Sequence, residues 1–97
     1  YLMMEALMEA GINSGLDRKL SEQLAIQTVF GAAKMALETG EDVKYLRKKV
    51  TSPGGTTMAA VETLKKMGFA TSIMEATKNA AQRSREMLME NLKAAKN

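Results

Sequence analysis

The stretch "DRKLSEQLAIQTVFGAAKMALETG", residues 17–40, decides the fold class. It opens on Asp17, whose carboxylate suits the free N–H groups of a helix start. It closes on Gly40, the residue type that most readily stops a helix. No proline interrupts it, and the apolar residues recur at helical spacing, so one long helix is predicted. From Leu24 to Leu37 it is apolar or small almost all the way round, through Ile26, Val29, Phe30, Ala33 and Met35. A helix without a polar face has to be buried on more than one side. A chain of 97 residues buries roughly 60–65% of its unfolded surface, enough for one modest core. It can hardly surround such a helix alone. The expectation is a homodimer, and the alternative is a monomer with this helix at its centre.

The segments on either side are also helical in pattern. Upstream, residues 2–10 place Leu2, Met3, Ala6, Leu7 and Ala10 on one face, and Gly11 and Gly15 are expected to bracket a turn, "GINSG". Downstream comes a short helix, "EDVKYLRKKV" (41–50), acidic at its start and basic at its end, as the helix dipole favours. "TTMAAVETLKKMG" (56–68) follows and stops at Gly68. Thr71 or Ser72 is expected to cap a long last helix, whose apolar stripe is Ile73, Ala76, Ala80, Ala81, Met87, Leu88 and Leu92. No alternating β-branched run or hairpin signal is present. The fold class is therefore all-α, with about five helices, two of them long. The chain opens "YLMMEALMEAG", already helical and without an initiator methionine, so it is expected to be the later part of a longer protein.

Composition excludes several kinds of chemistry. There is no cysteine, hence no disulfide or thiolate metal site, and a cytoplasmic setting is the default. There is no histidine, which removes the commonest general base and metal ligand; no metal site is expected. A net charge of +3 with aromatics at 4% does not suit a dedicated nucleic-acid binder. No apolar run approaches the roughly 18–20 residues of a membrane span. Neither nucleic acid nor membrane is an expected partner.

The segment that carries chemistry is "TSPGGTT", residues 51–57, with the only proline of the chain. Ser52 as N-cap and Pro53 as first helical residue make a simple helix start. That leaves Gly54 and Gly55 unexplained, each weakening a helical turn by about 0.5–1 kcal/mol relative to alanine. Glycines are retained where something approaches the backbone or where φ is positive. A helix N-terminus offers free N–H groups and the positive end of a dipole. Ser52, Gly54, Gly55, Thr56 and Thr57 thus read as a seat for an anion, carboxylate or phosphate, with Lys44, Arg47, Lys48 and Lys49 raising the local potential. The helix starts either at Pro53 or at Gly55. In the second case the N–H groups of Gly55, Thr56 and Thr57 converge beside the Thr57 hydroxyl.

With these residues in place, the chain resembles pyrroline-5-carboxylate reductase. The resemblance rests on "VTSPGGTTMAAVETLKKMGF" (50–69), "QTVFGAAKMALETGEDVKYLRKKVTSPGG" (27–55), "EATKNAAQRSREM" (75–87) and "EALMEAGINSGLDRKLSEQLA" (5–25). It spans essentially the whole chain in order. It implies an enzyme that reduces 1-pyrroline-5-carboxylate to L-proline with NADPH or NADH, in proline biosynthesis. It implies that residues 1–97 are the C-terminal helical domain, which interlocks with its twin as a homodimer, with higher rings in some members. By the same resemblance, Ser52, Gly55 and Thr56 hold the substrate carboxylate, and Thr57, the catalytic residue, reaches the ring nitrogen. The family's N-terminal Rossmann domain has no counterpart here: no G-x-G-x-x-G follows a strand, so the cofactor site is expected outside this chain. A stand-alone helical oligomerisation module without a ligand is the alternative.

Overall fold

The computed structural model of the chain describes residues 1–96. It holds five helices: α1 Leu2–Asn13, α2 Arg18–Thr39, α3 Val43–Lys49, α4 Thr56–Lys66 and α5 Phe69–Lys96. The chain is all-α, as expected, with α2 and α5 the two long helices. It divides into two compact units, residues 1–50 with α1 to α3 and residues 51–97 with α4 and α5.

In the first unit, α2 begins where the sequence places it. The Asp17 carboxylate accepts from the Leu20 N–H at 3.0 Å, one of the orphan donors of a helix start. It ends at Gly40, whose φ of 65° and N–H bond to the Ala36 carbonyl close the last turn. α1 packs against α2. Ser21, 1% exposed, and Ala25, 5% exposed, are the buried residues of that contact. The Ser21 hydroxyl donates to the Met8 carbonyl at 2.7 Å. This bond satisfies the polar group that the contact buries.

That contact revises the reading of α1. The "GINSG" segment is not bracketed by Gly11 and Gly15, because α1 continues through Gly11 to Asn13. Gly11 is there for close approach: a Cβ on it meets the Ser21 hydroxyl and lies 3.2 Å from Ser21 Cβ. The turn proper follows, with Leu16 N–H to the Gly11 carbonyl and Gly15 N–H to the Ile12 carbonyl, both at 3.0 Å. These paired bonds finish a helix on a residue of positive φ, here Gly15. The covered face also differs from the predicted stripe. Met4, Met8, Gly11 and Ile12 are half-buried, while Leu2, Met3, Ala6, Leu7 and Ala10 are exposed. α1 carries apolar residues on two faces, and periodicity alone does not say which one α2 takes.

Most of α2 is uncovered. Leu24, Ile26, Phe30 and Met35 are about half exposed, and Leu37 is 84% exposed. A groove of about 360 Å³ runs beside it, lined by Ala32, Met35, Ala36, Val43, Leu46 and Val50, with Arg47 at its polar side. One chain therefore leaves open the apolar surface that the sequence had marked as too large to bury alone.

In the second unit, α4 and α5 are joined by Met67 and Gly68 alone, with Gly68 at φ 76°. The expectation that Thr71 or Ser72 caps the last helix is corrected: α5 starts at Phe69 and both residues lie inside it. The Ser72 hydroxyl instead donates to the Gly68 carbonyl at 3.0 Å. So short a connection leaves no room for a separate cap. On α5, Arg83 bridges Glu86 at 3.3 Å and Glu90 at 3.0 Å. All three side chains are exposed, so the network adds little stability. Among the described residues no helix is long and apolar enough to cross a membrane.

The α1–α2 contact is testable. Gly11→Ala is expected to destabilise the chain by about 1–3 kcal/mol, the usual cost of overpacking. In a Ser21→Ala background the clashing hydroxyl is gone and the added cost of Gly11→Ala should fall. Urea unfolding of the four proteins of this cycle measures it, and strictly additive costs would refute the contact.

Candidate functional site

The turn before α4 is built from residue chemistry in sequence order. The Gly55 N–H donates to the Ser52 carbonyl at 3.0 Å, closing a four-residue turn, Ser52-Pro53-Gly54-Gly55. Proline presets φ at the second position of such a turn. A positive φ at the third is the province of glycine. Gly54 occupies that third position at φ 71°. A Cβ on Gly54 would find nothing within 4 Å. Its requirement is therefore conformational, not one of space.

Gly55 has the opposite reason. Its backbone is extended, at φ −86° and ψ 176°, which any residue adopts. A Cβ there would lie 3.2 Å from the Ser52 carbonyl oxygen, pressing on the acceptor that closes the turn. Gly55 is also the N-cap of α4 and has no side chain with which to cap it. The structure thus decides between the two possible helix starts: Ser52 and Pro53 belong to the turn, and α4 begins at Thr56.

This arrangement fixes which N–H groups are available. A helix start leaves four donors without intrahelical partners. That of Gly55 is taken by the Ser52 carbonyl, so it does not converge with the others as the sequence reading supposed. The remaining three belong to Thr56, Thr57 and Met58, and the cap residue Gly55 has no side chain to satisfy them. Met58 was not among the expected residues. Its place follows once Gly55, not Pro53, is known as the cap. Thr57 and Met58 are half-buried, while Thr56 and Ser52 are exposed. The site is thus a turn of four residues leading into three free donors at the positive end of a helix dipole, geometry suited to an anion. Ser52, Gly54, Gly55, Thr56 and Thr57 all lie within it.

The basic residues of α3 belong to the first unit. Lys49 is occupied there: its Nζ lies 3.9 Å from a Glu41 carboxylate oxygen and 5.3 Å from the centre of the Tyr45 ring. Among the described residues, no three acidic side chains are grouped to hold a metal ion.

Helices that leave their apolar faces open, and a helix start whose cap residue carries no side chain, define an all-α domain with surface suited to association. The chain belongs to the pyrroline-5-carboxylate reductase dimerisation family, whose model matches residues 1–87. It is 49% identical over 86 residues to a pyrroline-5-carboxylate reductase of Synechocystis, covering 89% of this chain and 32% of that protein. It is 51% identical over 87 residues to one of Pisum sativum, covering 90% and 32%. In structure it is similar to the Plasmodium falciparum pyrroline carboxylate reductase crystallised with NADP bound, with a TM-score of 0.86 at 36% identity over 90% of this chain and 35% of that one. A pyrroline-5-carboxylate reductase from Coxiella burnetii gives 0.84 at 46% identity, over 88% and 32%. The chain therefore spans about a third of the length of the relatives it matches.

The two glycines are expected to respond differently to substitution. Gly54→Ala should lose about 1–2 kcal/mol, the cost of a left-handed backbone for an ordinary residue. Gly54→Asn, which tolerates that region, should lose less. Thermal unfolding ranks the pair; equal losses would contradict the turn geometry.

Proposed function

We propose that this chain is the dimer-forming and substrate-holding part of a reductase that converts 1-pyrroline-5-carboxylate to L-proline with NADPH or NADH. The observation that carries the reading is the uncapped start of α4 behind the Ser52–Gly55 turn, in a chain of this family. A substrate carboxylate seated there is bound by the N–H groups of Thr56, Thr57 and Met58. The Ser52 hydroxyl is near in sequence and exposed to join them. The glycines keep side chains out of the anion's path.

Fixing the carboxylate orients the ring, and positioning is the contribution that this chain can make. Thr57 is the side chain of the first helical turn suited to meet the ring nitrogen. Its half-buried setting limits competition from water. A substrate bound as the protonated imine donates its N–H to the Thr57 hydroxyl oxygen and needs no strong acid, which suits a chain without histidine or cysteine. The dinucleotide does not fit these residues. Among those described there is no strand to carry a Rossmann turn, so the nicotinamide comes from a part of the protein outside them.

The second copy follows from α2. Its exposed apolar residues match the family's description as a dimerisation domain, and an interlocked homodimer covers them.

In the complete enzyme, Thr57→Ala is expected to lower kcat/KM at least tenfold, a loss of about 1.4 kcal/mol in transition-state binding. Steady-state kinetics that match wild type would remove Thr57 from the reaction. Gly55→Ala should raise KM for the substrate and leave cofactor affinity unchanged. Titrating the protein with proline at millimolar concentration should shift the amide resonances of Gly54 to Met58. No shift would favour an association module without a ligand.

A further inference from the structure

The last helix runs past the end of the family match. That match closes at residue 87, whereas α5 continues without a break to Lys96, about two and a half turns further. At about 100° per residue, Leu88, Leu92 and Ala95 fall in the same half of the helix as Ile73, Ala80 and Met87. Glu86, Glu90, Lys93 and Lys96 fall in the opposite half. The apolar half thus continues from the matched segment into the added one, with Asn91 inside it and Met89 on the charged half.

The helix that shares a unit with α5 is too short to cover this stripe. α4, the element that packs on α5, has 11 residues against 28, about 17 Å of helix against about 42 Å. Met87, Leu88 and Leu92 are each 50–59% exposed.

We propose that residues 88–96 lengthen the dimer seam of this protein, the apolar half of α5 beyond residue 87 being covered by a second copy of the chain. The occupant is argued from continuity, because the stripe is the direct extension of one that lies within a dimerisation domain. Ala95, on the same side of the helix as Leu88 and Leu92, allows another helix to approach closely. The charged half carries both signs, with Arg83 already bound to Glu86 and Glu90. That is a face for water, unlike the lysine- and arginine-rich face of a helix lying on a membrane. The proposal rests on the homodimer reading above.

The test compares three forms of the full-length protein: wild type, a truncation after Met87, and Leu88→Ser/Leu92→Ser. Sedimentation equilibrium gives the dimer Kd of each, with circular dichroism to verify helix content. The truncation and the double variant should each raise Kd at least tenfold while still dimerising at high concentration. An unchanged Kd in the double variant overturns the proposal, whatever the truncation does. An unchanged Kd together with lost binding to phosphatidylserine vesicles overturns it in favour of a lipid surface. A wild-type protein that is monomeric throughout overturns the homodimer reading, and this proposal with it.

Discussion

An apolar helix with no polar face imposes more burial than a chain of 97 residues can supply, and the rest of the architecture answers to that. α2 is buried by α1 at Ser21 and Ala25, half-covered at Val29, Gly31 and Ala36, and left open along most of its length. α1 reaches that line because Gly11 has no side chain and because the Ser21 hydroxyl finds the Met8 carbonyl at 2.7 Å. The contact uses small residues and one satisfied hydrogen bond, so it brings two helix backbones together while burying little apolar area. What remains exposed is surface in search of a partner, which accords with membership of a dimerisation family. Free energy that a larger domain finds in its own core is not available to this exposed surface within one chain.

The turn before α4 works on a different principle. Its two glycines weaken the chain locally, and they do so for separate reasons. Gly54 supplies a positive φ, and Gly55 spares the Ser52 carbonyl a contact at 3.2 Å. Together they let a helix begin with its cap position empty of side chain. The usual capping residue would satisfy one of the free N–H groups and close the site to an anion. A glycine in that position leaves three donors aligned and open. Local stability is thereby exchanged for a helix start left open, the geometry on which the proposed carboxylate seat rests.

Much of this was legible in the residues. Asp17 and Gly40 mark the ends of α2 because capping is local chemistry, settled within one turn of helix. The apolar circumference from Leu24 to Leu37 marks association because burial is a demand that composition alone can state. The "SPGG" element marks a tight turn before a helix because proline and glycine restrict the backbone in known ways.

Other features depended on elements meeting in space. Gly11 reads as a turn residue in the sequence, and only the approach of Ser21 from α2 shows it to be a contact residue inside a helix. α1 has two apolar faces, and which of them is covered was set by where α2 lies. Ser72 and Thr71 resemble caps, but a connection of two residues leaves α5 to start at Phe69. The donor set of the site changed too, since the Gly55 N–H is consumed by the turn and Met58 takes its place. By itself the sequence determined the all-helical class, both ends of α2 and the place of the turn before α4, for these follow from interactions within a few residues. The tertiary structure decided which faces are covered and which N–H groups are free, because those depend on groups distant in sequence or on a turn whose closure periodicity does not reveal.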